Sequence, residues 1–188
     1  LSGQDRSALV VDADWLAEHL TDPGLVVLQI GRAEAPEGPF IPGAVPVSLN
    51  DLAVSSNEEG DTRIALDLPA DLAPVRAVFE AAGVSDDSRV VVVFSEARVP
   101  DATRTLWTLE ILGLGERSSL LDGGLEAWKA SGGALADAPG EPQPGRITAE
   151  PRLDRRVDSD FVLDRGAGPG VTLIDARREA SYDGSRPE

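Results

Sequence analysis

Val90-Val91-Val92-Val93-Phe94 is the run on which the reading of this chain turns. Four β-branched residues and an aromatic in succession leave no polar face for water. The run is therefore the strongest strand signal in the sequence. Helical patterns flank it on both sides. Upstream, Pro74 sits where a first helical turn tolerates it, and Val75, Val78, Phe79 and Ala82 repeat at helical spacing up to Gly83. Downstream, Pro100 begins a helix with Leu106, Leu109 and Leu112 on a common side, ended by Gly113. Ser119-Leu120-Leu121 then reads as a small strand, Asp122-Gly123-Gly124 as a turn, and Leu125–Ala130 as a short helix. The Asp-Gly-Gly stretch has the look of a phosphate cradle, but a tight strand-to-helix turn is the preferred reading.

Towards the N-terminus, Leu25-Val26-Val27-Leu28-Gln29-Ile30 is a second apolar run of the same kind. A helix precedes it, capped by Asp12, carrying Trp15, Leu16, His19 and Leu20 on one face and stopped by Pro23-Gly24. Ala44–Val47 predicts another short strand. Residues 51–72 are polar and irregular, with 55–60 as an exposed loop. Strands alternating with helices give an α/β domain with a mainly parallel central sheet flanked by helices.

The composition shifts from Ser131 to Arg152, where four prolines and several glycines interrupt any periodicity. The expected organisation is a domain over 1–135, a linker over 136–152 and a further unit over 153–188. In the last, Val157–Leu163 predicts a helix and Val171-Thr172-Leu173-Ile174-Asp175 a strand. Helix, Gly-rich turn, strand and polar loop repeat the order of Asp12–Arg32, so the tail reads as an incomplete second copy. Gly166-Ala167-Gly168-Pro169-Gly170 precedes a strand instead of following one, and reads as a turn, not a nucleotide loop.

The formal charge of −16 disfavours nucleic-acid and anionic membrane surfaces as partners. Lys129 is the single lysine among 17 basic residues, a bias that fits GC-rich, bacterial coding. No apolar run reaches membrane-spanning length, which predicts a soluble protein. Leu1 in place of Met leaves the compartment open between cytoplasm and periplasm. There is no cysteine and one histidine, His19. Disulfides, thiolate metal sites, cysteine nucleophiles and most Ser–His relays therefore lack material, and neither metal nor cofactor is expected.

The ordered set of motifs resembles tandem-domain rhodanese-type sulfurtransferases, the thiosulfate/3-mercaptopyruvate sulfurtransferase family. It comprises the Trp-Leu helix at Trp15–Leu20, the strand Leu25–Ile30 and the Ile-Pro-Gly-Ala turn at Ile41–Ala44. Gly83–Val93, Arg104 with Trp107, and the Leu-Asp-Gly-Gly-Leu-x-Ala-Trp signature at Leu121–Trp128 complete it. Leu173-Ile174-Asp175-Ala176-Arg177 is similar to the first strand of a second such unit. The resemblance implies transfer of sulfane sulfur from thiosulfate or 3-mercaptopyruvate to a thiophilic acceptor. It implies a catalytic Cys at the end of the Val-rich strand of the second unit, where loop amides stabilise its persulfide.

Ser95 occupies the equivalent position in this chain. With Glu96, Arg98 and Arg104 it forms a vestigial loop, and no residue here is expected to be catalytic. Glu96 and Asp101 bring negative charge, Pro100 removes an N–H, and Arg98 offsets part of the charge. Gln29 and Phe40 depart from the Asp and His that the family places there. Ser181 stands where a substrate-binding Arg is common, leaving Arg177 and Arg178 as possible substrate-anion contacts or surface residues. The expected partners are a small sulfur donor, engaged through the missing half, and that half itself as an intramolecular neighbour. The chain alone is expected to be inactive. The competing reading is an inactive rhodanese-like binding or regulatory module.

Overall fold

The computed structural model describes residues 9–32, 38–53, 68–95, 98–166 and 168–185. It divides into two compact units, Leu1–Leu153 and Asp154–Glu188. In the first, five strands form one sheet: β1 (Val10–Val11), β2 (Leu25–Gly31), β3 (Val45–Ser48), β4 (Arg89–Phe94) and β5 (Ser118–Leu121). Their order is β1-β5-β4-β2-β3 and every pairing is parallel. The Val-rich run lies at the centre as β4. It pairs residue for residue with β2 from Leu25↔Arg89 to Ile30↔Phe94.

Val90, Val91, Val92 and Val93 are each 0% exposed, which settles where the helices must go. Alternate side chains point to opposite faces. Val90 and Val92 join Leu28, Ile30, Val75, Phe79 and Leu109 in one core. Val91 and Val93 join Leu16, Val27, Ile41, Leu125 and Trp128 in the other. Helices α2 (Ala73–Ala81) and α3 (Val99–Ile111) supply the first face, and α1 (Ala13–His19) and α4 (Gly124–Ala130) the second. Asp12 caps α1 by accepting from the Trp15 N–H at 2.7 Å. Trp128, 2% exposed, donates its indole N–H to the Ala134 carbonyl at 2.8 Å. Among the described residues no helix is long and apolar enough to cross a membrane.

Residues 136–152, the stretch whose composition suggests a linker, have almost no regular structure but are tied to the first unit throughout. Ala136 exchanges two backbone hydrogen bonds with Phe40, and the Gly140 and Gly145 N–H groups donate to Ala44 and Glu80. Ile147 is buried, and its N–H donates to the Glu80 carboxylate at 2.8 Å. Asp86 accepts from the N–H groups of Thr148 and Ala149 and from the Thr148 hydroxyl. Proline and glycine prevent ladder formation here, so side chains of the domain satisfy the backbone instead. Gly113, at φ +85°, ends α3 where the strap passes: a Cβ there would lie 2.9 Å from the Glu150 carbonyl oxygen.

The second unit contains α5 (Ser159–Arg165), capped by Asp158, and α6 (Glu179–Tyr182), a turn of helix that the sequence pattern did not suggest. Val171–Asp175, expected to be a strand, is not one. Leu173 and Ile174 are 59% and 83% exposed. A parallel strand exists only through its neighbours, and no partner strand is present among the described residues of this unit. The expected loop at 55–60 lies outside the described residues.

Asp86 gives a test of how the strap is held. The Thr148 hydroxyl and backbone N–H, with the Ala149 N–H, keep its carboxyl below the ordinary carboxylate range. Asp86→Ala is expected to lower amide protection at Thr148 and Ala149 about tenfold in hydrogen exchange while β4 amides are unchanged.

Candidate functional site

In an open parallel sheet the strand carboxyl ends, where loops and helix starts converge, are the place for chemistry. Here Arg32 follows β2, Ser95 follows β4, and Asp122-Gly123-Gly124 follows β5. Gly124 has φ +58° because its backbone presses on the end of β4: a Cβ would come 2.3 Å from the Phe94 carbonyl oxygen. The site is thus closed tightly on its β5 side.

Ser95 is half-buried at the head of the loop, and its carbonyl accepts from the Arg98 N–H at 3.0 Å. Glu96 lies outside the described residues. What fills the loop is Asp101, in the first turn of α3 and only 3% exposed. Arg32 grips its carboxylate through Nη2 to Oδ1 at 2.8 Å and Nε to Oδ2 at 3.0 Å. Arg98 adds Nε to Oδ2 at 3.0 Å. Asn50 steadies Arg32 by donating to its backbone carbonyl at 2.8 Å. Burial by itself would push the Asp101 carboxyl up; the hydrogen bonds and charges of Arg32 and Arg98 outweigh it and hold the group below its ordinary range. The same contacts raise Arg32. Arg98 therefore spends its Nε–H on Asp101, not on a bound anion.

Arg104 sits one turn further along α3, its guanidinium carbon 4.8 Å from the centre of the Trp107 ring. Gln29, 4% exposed, donates to the Pro39 carbonyl at 3.0 Å and accepts from the Ile41 N–H at 3.4 Å. A carboxylate could not make the first of these bonds, so the amide serves as a staple for the loop beneath β2. Phe40 is buried and fixed by its pairing with Ala136. His19 stacks on Trp15 with ring centres 4.0 Å apart, and Arg89 lies 4.1 Å from the Trp15 ring centre. Arg89 opens β4 and Ser95 follows its end, which at about 3.3 Å per residue is roughly 20 Å. His19 belongs to the opposite end of the sheet and is no base for Ser95. In the second unit Arg177 is held by Asp175 through Nη2 to Oδ2 at 2.7 Å and Nε to both oxygens at 3.0 Å. Arg178 precedes α6 and is exposed. Among the described residues no group of three or more His, Cys, Asp or Glu could hold a metal ion.

The sheet order and the loop that follows β4 place this chain among known proteins, and residues 12–131 match the rhodanese-like domain. The chain belongs to the rhodanese-like family. This rhodanese-like chain is 33% identical over 95% of its length to the probable 3-mercaptopyruvate sulfurtransferase of Pseudomonas aeruginosa, and spans 64% of that protein. It is 29% identical to the 3-mercaptopyruvate sulfurtransferase of Escherichia coli, spanning 62% of it. The crystal structure of the 3-mercaptopyruvate sulfotransferase from Escherichia coli superimposes with a TM-score of 0.75 at 25% identity, covering 95% of this chain and 69% of that one. The chain thus spans slightly under two thirds of the curated relatives it matches. The Tum1 protein of Saccharomyces cerevisiae shares the fold, with a TM-score of 0.72 at 13% identity over 96% of this chain and 64% of its own.

The Arg32–Asp101 contact joins residues 69 positions apart and was the part of the site that the sequence reading missed. Opposite charges just past the ends of two apolar runs are a signal for it, once those runs are taken as adjacent strands.

Two measurements follow. Because the Asp101 carboxyl is lowered in the fold, its contribution is present above the unfolded value of about 3.9 and is lost as pH falls through the lower folded value. Asp101→Asn is expected to flatten the acid limb of the stability profile below about pH 4, read by denaturant titration at successive pH values. A Ser95→Cys thiol would open a loop whose Arg98 is engaged by the buried Asp101 carboxylate. Its pKa is expected at or above about 8.5, read from alkylation rate against pH.

Proposed function

We propose that this chain is the non-catalytic N-terminal part of a sulfurtransferase that moves sulfane sulfur from thiosulfate or 3-mercaptopyruvate to a thiophilic acceptor. In this reading a cysteine in the portion absent from this chain does the chemistry. Its thiolate attacks the outer sulfur of thiosulfate, forming a persulfide and releasing sulfite. The acceptor, for example cyanide, then takes that sulfur as thiocyanate and regenerates the thiolate.

The observation that carries the assignment of silence is the loop after β4. It begins with Ser95 in a chain without cysteine, and its Arg98, together with Arg32 from the end of β2, is engaged by Asp101. A serine hydroxyl holds no persulfide, and the guanidinium groups that could lower a thiol pKa already hold the Asp101 carboxylate. The relatives named 3-mercaptopyruvate sulfurtransferase support the reaction class, and the third of their length that this chain does not span leaves room for a catalytic unit.

Residues 153–188 are, on this reading, the start of a second rhodanese-like unit. Their order of helix, turn and Leu173-Ile174-Asp175-Ala176-Arg177 supports it, as does the exposure of Leu163, Leu173 and Ile174, which a completed sheet and its helices would cover. Arg177 or Arg178 would then stand near the substrate anion, and the two units would meet within one protein.

The test compares the purified chain with the full gene product in thiocyanate formation from thiosulfate or 3-mercaptopyruvate and cyanide. The chain is expected to give no turnover above background. The full product is expected to turn over, and to lose activity when the cysteine after its second Val-rich strand becomes Ser. Turnover by the chain itself would overturn the silent assignment. A full product with Ser or Asp at that position would favour a binding or regulatory module instead.

A further inference from the structure

The Asp101 carboxylate is an unusual occupant of its position. It is a single negative charge held by two arginines, buried to 5% side-chain exposure, while the side chains of Arg32 and Arg98 remain 48% and 42% exposed. The anion is thus enclosed, while the cations that hold it reach the surface. It receives N–H donors from two planar guanidinium forks: Arg32 Nη2 at 2.8 Å to Oδ1, Arg32 Nε at 3.2 and 3.0 Å to the two oxygens, and Arg98 Nε at 3.0 Å to Oδ2. Guanidinium forks recognise a pair of oxygens on one centre, whether on a carboxylate or on one edge of a tetrahedral oxyanion. Charge points the same way. Two guanidinium groups around one carboxylate leave a net charge of one positive unit, and without it the pair would suit a dianion.

From this geometry we infer that Arg32 and Arg98 form a small-oxyanion site whose ligand position is occupied by the chain's own Asp101, an internal carboxylate that excludes free sulfate or thiosulfate. The carboxylate is tethered in the first turn of α3, which follows the loop after β4, so it competes at an effective concentration that a dissolved anion does not match. Its place in that turn is also favourable to the helix, so the internal ligand is stabilised independently of the two arginines. The inference concerns ion binding by this chain and does not depend on which residue follows the Val-rich strand of a second unit. Failure here leaves the sulfurtransferase reading intact, and failure of that reading leaves this one intact.

The experiment titrates sulfate, and separately thiosulfate, into the full 188-residue chain and its variants at low, constant ionic strength, with chloride as the control. Backbone amide shifts at Arg32, Arg98, Val99, residue 101 and Ala102 locate the binding, Pro100 having no N–H. Asp101→Ala is expected to bind either oxyanion at least tenfold more tightly than the parent chain, with the shifts confined to those residues. Adding Arg32→Ala or Arg98→Ala to Asp101→Ala is expected to abolish the gain. Asp101→Glu, which keeps a carboxylate between the two arginines, is expected to stay as weak as the parent. If Asp101→Ala proves too unstable for titration, its melting temperature is followed against sulfate: a rise absent in the parent and in chloride reports the same site. Asp101→Ser, smaller but still polar, serves as the second variant. A folded Asp101→Ala or Asp101→Ser that binds no better than the parent would overturn the inference. So would a parent chain in which those amides already respond to sulfate with equal affinity, or a gain that survives loss of either arginine.

Discussion

A strand of four valines with no exposed surface can exist only with a neighbour on each edge and a cover on each face. That constraint generates most of the first unit. The six-residue parallel register between β2 and β4 satisfies the backbone on one edge, and β5 does so on the other. Parallel strands then require crossover connections, which place α2 and α3 on one face and α1 on the other, where α4, following β5, joins it. Each helix buries its apolar side against valines of alternating parity, so the two cores share one strand without sharing its side chains. The polar backbone crossing this core is paired along the whole of β4 on the β2 edge and over Val90–Val92 on the β5 edge.

The same arrangement concentrates unsatisfied electrostatics at the carboxyl ends of the strands, where α3 begins. A rhodanese-like fold that performs sulfur chemistry would place a thiolate there. In this chain a buried carboxylate, Asp101, lies in the first turn of α3, and taking a lone carboxylate out of water costs several kcal/mol. Arg32 offsets that cost from the end of β2 and Arg98 from the loop itself. The consequence runs from packing to chemistry. Once these cations are committed to Asp101, they are not available to stabilise a thiolate, and the departure at Ser95 and the pairing at Asp101 reinforce one another. Gln29 fits the same account, since its neutral amide ties down Pro39 and Ile41 where an acid would have needed yet another cation.

Much of this was legible in the residues. Apolar runs located β2, β4 and β5, and helix periodicity located α2 and α3 to within a residue or two, because burial on both faces leaves a strong pattern. β1 was not visible: two residues carry no periodicity, and its existence depends on pairing with Leu120 and Leu121 far along the chain. The strap at 136–152 reads as a linker for a similar reason. Composition reports the absence of helix and strand, but it is silent about side chains of Arg76, Glu80 and Asp86 that hold an irregular backbone in place. At the candidate site, Ser95 and Arg98 could be named because the resemblance places the family's cysteine at the end of the Val-rich strand. The capture of Asp101 by Arg32 could not, because it needs the order in which strands lie side by side.

The contrast between Val91-Val92 and Leu173-Ile174 carries this furthest. Both pairs are β-favouring and strongly apolar, and both follow a helix and a turn. One pair is completely buried and the other is largely exposed. Nothing in local propensity separates them. β-propensity expresses how well a side chain fits a pleated, covered surface, so it has meaning only when that surface is present. For Val91 and Val92 the surface is made by β2, β5 and the helices of the same unit. For Leu173 and Ile174 no strand among the described residues of their unit offers a hydrogen-bonding edge. At 171–175 an apolar run without a neighbouring edge is therefore irregular and exposed, and the strand expected from its composition is not formed.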